Sequence, residues 1–565
     1  LKFLPKLPEN AQLVFTTVLL SISSGVSAVG FMVLNGLFFR STFLSYAARS
    51  KGFFLFASFL TITGTSILVG LLMSRVSPNA AGSGIPELKV SYWKELGYIN
   101  PRPVVVKFVA GILSIGGGAS LGREGPSVFF GGGVASNLAG VLGAPRRERR
   151  AAIVIGTSAG LAAAFNTPLA AITFIIEELI GDLNNRYLGR VVLSSVLGAL
   201  VVYAILGRQP SFVLPPVEEA SWLHYFLVPI VAVLASLSGV AFQRGTLALR
   251  GRFRKQKKIP AWLQPAVGGI VVWVIACSVF LLTGRVGIFG LGYNDLSATL
   301  IHRVAWQFAG ILVAAKLLAT IVSYGSGSCG GIFSPTLFMG GLTGYFLGGL
   351  FSLWLPLTPS DRIVLAAAGM AACLGTVVRA PLTSMLLVFE MTHQFSFVPA
   401  LMIGMLVCLV VSRLAGRLNF YDALLVQDGH ELHKIRPPLD IQSWQNLPVS
   451  AIANPQVASI RELSEQRLRE AVDQYPYQSF PVIQDGKLLG IFNRQEILEA
   501  LLRHDMPDIH KPMTCYLDQT VREVGNKFLK STSNILVVLR RENNSVAGVI
   551  TLHDLIRAQA GLETG

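Results

Sequence analysis

A duplication written into its loops limits this chain more than any other feature. Gly122-Arg-Glu-Gly-Pro126 and Gly331-Ile-Phe-Ser-Pro335 stand about 209 positions apart, each just before an apolar helical run. Gly-Gly follows both prolines at the same interval, as Gly131-Gly132 and Gly340-Gly341. Downstream, Asn166-Thr-Pro168 leads to Glu177 and Arg379-Ala-Pro381 leads to Glu390, with proline and glutamate nine residues apart both times. Landmarks repeated in one order mean an internal repeat. Apolar repeats broken by Gly and Pro at corresponding places suit a transporter whose substrate site lies between two halves.

Composition sets the solvent. Of 565 residues, 52% are apolar and 14% charged, far from a water-soluble globular chain. Runs long enough to span a bilayer include Val14 to Leu37, Phe53 to Met73, Phe226 to Phe242, Pro265 to Thr283, and Leu401 to Val411 with its flanks. Val104 to Ile115 and Ala159 to Ile176 are shorter or rich in Gly, Ala and Pro. At membrane depth such pieces persist only where protein or a polar cavity satisfies the freed backbone. They are therefore expected to be helices that stop at mid-membrane, in a multi-spanning α-helical protein.

The formal charge of +16 comes largely from loops, notably Arg146-Arg-Glu-Arg-Arg150 and Arg250 to Lys258. The positive-inside tendency puts both on the cytoplasmic side without invoking nucleic acid. Cys277, Cys329, Cys373, Cys408 and Cys515 are scattered, with neither a disulfide framework nor metal-ligand spacing. The chain begins at Leu1 rather than Met, so preceding residues are expected, and nothing reads as a cleaved signal peptide.

Near Val426 the texture changes. Residues 427–444, with Pro437-Pro438, read as a linker after a transmembrane domain of residues 1–426. Beyond it, β-rich runs (Phe480 to Ile483, Leu488 to Phe492, Asn534 to Leu539, Val546 to Ile550) alternate with amphipathic segments such as Ser464 to Gln474 and Arg494 to Leu502. Strand, turn, strand and helix occur twice, which predicts tandem α/β modules at residues 445–505 and 506–565.

Gly82-Ser-Gly-Ile-Pro86, Gly122-Arg-Glu-Gly-Pro126, Gly330-Gly-Ile-Phe-Ser-Pro335 and the late Tyr421 resemble, in order and spacing, the CLC family of chloride channels and chloride/proton exchangers. The tail resembles the paired CBS modules that many members carry. The resemblance implies two inverted repeats with broken helices, a homodimer with one pore per subunit, a cytoplasmic tail, and an inner or plasma membrane location in a bacterium. It implies chloride and protons as cargo, with no required cofactor.

The chemistry of the loops agrees. A helix N-terminus offers unpaired N–H groups and the positive end of its dipole to an anion. Glycine lets the backbone come close, and proline starts a helix without losing a donor. The loop residues expected around the anion are Gly82, Gly84, Ile85, Pro86, Gly122, Arg123, Gly125, Pro126, Gly331, Ser334 and Pro335. By the resemblance, the Ser83 hydroxyl, the Tyr421 phenol and the backbone N–H groups of Ile332 and Phe333 bind chloride. A helix-capping role is the simpler alternative for Ser83 taken alone. Such loops make a cage with no full positive charge, which favours rapid release.

Glu124 is a carboxylate among apolar residues at membrane depth, where acids are costly and usually functional. Charged, it can occupy an anion site itself; protonated, it should leave. The resemblance makes it the outer gate. Pairing with Arg123 is the structural alternative, weakened because adjacent residues on a helix diverge. Glu177 matches Glu390 across the repeat and reads as structural, whereas Glu178 matches Met391 and falls on the inner proton-transfer glutamate of exchangers. The alternative for Glu178 is a solvated carboxylate at a helix end. Two departures from the family pattern, Lys89 and Ser326-Gly-Ser-Cys329, are expected to touch no proposed ligand.

In the tail, Thr551 and Asp554 resemble a CBS pattern that holds a nucleotide ribose, while the first module has Gly490 to Glu496 instead. An adenine nucleotide is thus an expected optional ligand. Gly118-Ala-Ser-Leu-Gly122 and Gly156-Thr-Ser-Ala-Gly160 match a nucleophile elbow, but they lie in apolar helical stretches and no histidine precedes residue 224. No catalytic or metal-binding set is expected, and an enzyme is not the reading these residues favour. Chloride/proton antiport is expected, with a passive chloride channel as the alternative.

Overall fold

Proline and glycine cut the long apolar stretches of this chain into two matching series of helices. The computed structural model describes residues 8–181, 187–207, 221–256, 258–416, 418–430, 447–484, 486–528 and 534–561. Its contacts divide into one unit over Leu1–Ile435 and another over Arg436–Gly565. Most of the expected linker, residues 431–444, lies outside the described residues.

In the first half of the larger unit run α1 (Glu9–Phe39), α2 (Lys51–Arg75), α3 (Ile85–Trp93), α4 (Pro101–Gly111), α5 (Glu124–Val141), α6 (Arg146–Phe165), α7 (Pro168–Phe174) and α8 (Leu188–Leu206). The second half repeats them in order as α9 (His224–Lys255), α10 (Gln264–Thr283), α11 (Tyr293–Leu300), α12 (Trp306–Gly325), α13 (Phe333–Phe351), α14 (Pro359–Val378), α15 (Pro381–Thr392) and α16 (Val398–Ala415). A short α17 (Phe420–Gln427) follows. Among the described residues, 8 stretches are long and apolar enough to cross a bilayer. By contrast α3 and α11 have only 9 and 8 residues; of the broken stretches expected from the sequence, Ala159 to Ile176 is divided at Asn166 between α6 and α7, and Val104 to Ile115 runs through α4 into a π-helical turn.

Local chemistry sets the breaks. Asn166 and Arg379 both close a helix in the left-handed region, and a proline opens the next helix two residues later. Thr358 and Asp361 form a reciprocal capping box that starts α14. The Gly-Gly landmarks permit backbone contact. A Cβ on Gly131 would stand 2.1 Å from the Gly156 carbonyl oxygen, and one on Gly340 would stand 2.2 Å from that of Gly369. Both halves thus cross α5 on α6, or α13 on α14, through small residues, the packing that serves where lipid removes the hydrophobic drive between helices.

The smaller unit contains two modules. In the first, α18 (Glu465–Gln474) precedes an antiparallel pair, β1 (Ser479–Gln484) and β2 (Lys487–Asn493), and then α19 (Arg494–Arg503). The second has β3 (Thr514–Tyr516), α20 (Val521–Phe528), β4 (Ile535–Leu539), β5 (Val546–Thr551) and α21 (Leu552–Gly561). Here β4 pairs antiparallel with β5 and parallel with β3. Ile460 bridges Val482 in parallel, the first module's rudiment of the β3 position. The strand–strand–helix order therefore occurs twice as expected, and α20 precedes its strand pair as α18 does; β3 and α20 are too short or too polar to stand out in the sequence.

Candidate functional site

Backbone hydrogen bonds stitch the three glycine loops together. The Gly122 N–H donates to the Gly331 carbonyl at 2.8 Å, and the Gly331 N–H returns to the Gly122 carbonyl at 2.6 Å. These residues are equivalents in the duplication, so the bridge joins the halves at corresponding points. The first loop joins from the side: Gly82 N–H donates to Ser328 O at 3.1 Å, and Gly330 N–H to Gly82 O at 3.2 Å. Gly125 packs where all three meet, since a Cβ there would lie 2.8 Å from the Ser83 Cβ and 3.1 Å from the Gly331 Cα.

Each loop opens a helix toward this junction. Gly84 precedes α3 in the left-handed region, with Ile85 and Pro86 as its first residues. Arg123 precedes α5, whose first turn holds Glu124, Gly125 and Pro126. Ile332 precedes α13, which begins with Phe333, Ser334 and Pro335. First-turn N–H groups have no acceptor within their own helix, so Ile332 and Phe333 bring their donors to the junction. The N-cap alternative for Ser83 is not realised, because Gly84 holds that place and no side chain caps α3.

Two hydroxyls stand out. Ser83 Oγ and Tyr421 Oη are buried without a hydrogen-bond partner among the described residues. A buried polar group left unpaired costs about 1–3 kcal/mol, so two unpaired hydroxyls beside a cage of helix N-termini point to a polar occupant. Tyr324 is close to both. The Ser83 N–H reaches its phenol at 3.4 Å, and its ring packs on Phe420, the neighbour of Tyr421.

Glu124 is fully buried. Its Oε1 accepts from Tyr293 Oη at 2.8 Å and from Ser334 Oγ at 2.5 Å, and its Oε2 has no partner among the described residues. Arg123 does not pair with it; the guanidinium lies over the Tyr293 ring at 5.9 Å. Tyr293 begins α11 after Gly290-Leu-Gly292, whose two glycines have positive φ like those of Gly82-Ser-Gly84. This fourth loop is the second-half counterpart of the first, about 208 positions on, and the shared Gly-x-Gly was the sequence signal for it.

Glu178 is 2% exposed, so it is not a solvated helix end. It lies in a π-helical turn, Ile175–Ile180, whose extra residue sends Glu177 and Glu178 to different neighbours. Lys89 Nζ reaches Glu178 Oε1 at 2.7 Å and Asp422 Oδ1 at 2.5 Å. Asn419 caps α17 by accepting from the Asp422 N–H and donates its amide to the Glu178 carboxylate at 3.0 Å. Lys89 was expected to touch no proposed ligand; one turn into α3 it faces inward and pairs with Glu178, a contact with the proposed proton-transfer carboxylate that its place in the sequence did not announce. The Ser326–Cys329 segment also belongs to the site, through the bond from Gly82 to Ser328.

Glu177 and Glu390 have a different, reciprocal part. Glu177 accepts from the N–H groups of Leu382 and Thr383 at 3.1 and 2.8 Å, and Glu390 from those of Leu169 and Ala170 at 2.9 and 2.8 Å. Each glutamate thus closes the N-terminus of the helix in the other half.

Sequence reasoning also missed two buried lysines. Lys107 Nζ donates to the carbonyls of Ala81 and Gly82 at 3.2 and 3.4 Å. Lys316 Nζ does so to Gly287, Ile288 and Gly290, at 3.0, 3.3 and 2.7 Å. Both also sit over a phenylalanine, Phe129 or Phe338. The cage is not free of full positive charge, then; the charges are turned onto the carbonyl side of the loops. Their spacing of about 209 positions was visible in the sequence.

In the smaller unit, Thr551 ends β5 and Asp554 lies in the first turn of α21. Asp554 Oδ2 accepts from the Thr551 N–H at 2.8 Å and its hydroxyl at 2.7 Å, a local helix cap. In the first module Glu496 meets His510 Nε2 at 2.9 Å.

Residues 65–413, more than half the chain, match the profile described as "Voltage gated chloride channel". The chain belongs to the voltage-gated chloride channel (CLC) family. Residues 452–503 and 507–561 match the CBS domain. Family relatives include the "Voltage-gated ClC-type chloride channel ClcB" of Salmonella dublin, 34% identical over 334 residues, covering 58% of this chain and 78% of that protein. The "H(+)/Cl(-) exchange transporter ClcA" of Vibrio cholerae is 32% identical over 391 residues, covering 66% and 78%. A slow cyanobacterial Cl-/H+ antiporter has a similar structure, with TM-score 0.66 and 26% identity over 73% of this chain and 97% of that one. A eukaryotic CLC transporter shares the fold, with TM-score 0.60 and 19% identity over 96% and 98%. The protein is a multi-pass membrane protein of this family, with inverted repeats and a CBS tail.

Proposed function

We propose that this protein exchanges chloride for protons across a membrane. The observation that carries the reading is the combination of two unpaired buried hydroxyls, Ser83 at the meeting point of helix N-termini and Tyr421 within electrostatic reach of both carboxylates, with the two buried carboxylates themselves, Glu124 and Glu178. Chloride takes the hydroxyl donors and the N–H groups of Ile332 and Phe333, exchanging its water for fixed dipoles. Glu124, anionic, occupies the neighbouring N-terminal position and blocks the path; protonated, it leaves and lets chloride pass. Glu178 receives protons from the other side. The names of the ClcA relatives and of the cyanobacterial antiporter support exchange over passive conduction.

Proteoliposomes with a chloride gradient and no proton gradient provide the test. Exchange drives protons uphill, whereas a passive channel leaves the internal pH unchanged.

The same reading includes a homodimer with one pore in each subunit, and a cytoplasmic tail, supported by the basic segments beside the spans. It also includes an adenine nucleotide on the tail near Thr551 and Asp554. Millimolar ATP or AMP should raise the unfolding temperature of the full protein, and the absence of a shift with either would remove the nucleotide from the reading.

A further inference from the structure

Tyr293 stands outside the loops from which the proposed function was read, yet it meets the carboxylate at their centre. Its phenol donates to Glu124 Oε1 at 2.8 Å, and Ser334 Oγ lies 2.5 Å from the same oxygen. The two hydroxyl oxygens are 3.1 Å apart. Each hydroxyl has one proton, so the arrangement that serves the carboxylate best has both donating into it. Donors to an ionised carboxylate form stronger hydrogen bonds than neutral pairs do. A protonated carboxyl forfeits that gain, so protonation of Glu124 weakens both contacts.

Tyr293 helps line a cavity of about 170 Å³ together with Arg40, Arg123 and Asn294. Glu124 is fully buried and does not line it. Tyr293 therefore touches both the cavity and Glu124. The charged and titratable groups facing Glu124 are Arg123 beside it, Tyr293 of α11, Lys316 of α12 and Tyr421 of α17. Among the described residues, no cation donates a hydrogen bond to Glu124; the Lys316 side-chain nitrogen is turned onto the carbonyls of Gly287, Ile288 and Gly290.

We propose that Tyr293 is the latch of the gate: its phenol holds the Glu124 carboxylate in the charged, blocking position, and protonation of Glu124 releases the ring toward the adjoining cavity. This rests on the reading of Glu124 as a gate. Tyr293 is a positioning residue in this scheme, acting on chloride only through Glu124. Its hydroxyl sets the pH at which the gate opens.

Chloride flux from proteoliposomes, measured across pH 4.5 to 8, tests the latch. Tyr293→Phe removes only the hydroxyl and should move the flux profile toward alkaline pH by about one unit, the loss of one hydrogen bond to a charged group. Replacing Tyr293 with 3-fluorotyrosine strengthens the donor and should move the profile the opposite way. If the phenylalanine variant does not assemble, the fluorotyrosine protein carries the test alone. In a Glu124→Gln background, Tyr293→Phe should add no shift. An unshifted profile in both Tyr293 variants, with Glu124→Gln flat in pH, overturns the latch and leaves the gate standing. A Glu124→Gln protein that keeps its pH dependence overturns both.

Discussion

The two buried carboxylates of this protein are satisfied in opposite ways. Glu124 is held by hydroxyls, whereas Glu178 has a lysine at 2.7 Å and an amide at 3.0 Å. The hydroxyls that hold Glu124 are neutral, so when protonation weakens those contacts no partner cation is left stranded. Glu178 cannot lose its charge so cheaply, since Lys89 would keep only Asp422, whose side chain is 30% exposed. Asp422 thus gives the inner carboxylate a water-facing neighbour through a shared ammonium, and the outer one no equivalent. The proposed gate is built to switch, and the proposed inner proton site is built to remain charged between transfers.

The harshest challenge to this contrast is Glu124→Gln, which should abolish the pH dependence of chloride flux in proteoliposomes; any surviving dependence places the titrating group elsewhere. Next comes Glu178→Gln, for which proton movement driven by a chloride gradient should fall about a hundredfold, the range of positioned acid–base groups. Chloride flux should fall far less, and intact coupling would remove Glu178 from the proton path. Lys89→Met strands a buried carboxylate, with an expected cost of about 3–5 kcal/mol in thermal or denaturant unfolding. Adding Glu178→Gln should recover much of that loss, and additive losses would mean that the pair is not the unit it looks like. Smaller still, Ser83→Ala should weaken chloride binding by about 1 kcal/mol in calorimetry. At Glu390→Gln the expected loss is about 1–2 kcal/mol of stability, because backbone donors lose a charged acceptor; an equal loss of proton coupling would show that the capping glutamates are not purely structural.

Much of the site was legible in the sequence because glycine and proline punctuate it. Gly82 to Pro86, Gly122 to Pro126 and Gly331 to Pro335 announce helix starts that must come close to something, and the few polar residues within them, Ser83, Arg123, Glu124 and Ser334, draw attention. The comparison of Glu177 with Glu390 was equally readable, since symmetry separates a shared acid from an unshared one. What escaped were partners fixed by folding across long separations. Lys89 lies 333 positions from Asp422 and 89 from Glu178, and its spacing in α3 gives no hint of either contact. Tyr293 hid for another reason: its loop keeps the two glycines of its counterpart but replaces Ile85-Pro86 with Tyr-Asn, so a search for proline-led loops passes over it. Lys107 and Lys316 read as misplaced charges until their equivalence in the repeat is noticed.

The exchanged caps of Glu177 and Glu390 bear on how the molecule is made. A ribosome delivers the first half well before residue 390 exists, and until then α7 has backbone donors with no carboxylate to receive them. Gly122 likewise waits for Gly331. The nascent first half therefore enters the bilayer as a set of spans that cannot finish their own helices, held open for a second half not yet synthesised. The loops and the caps alike can be completed only once the second half exists.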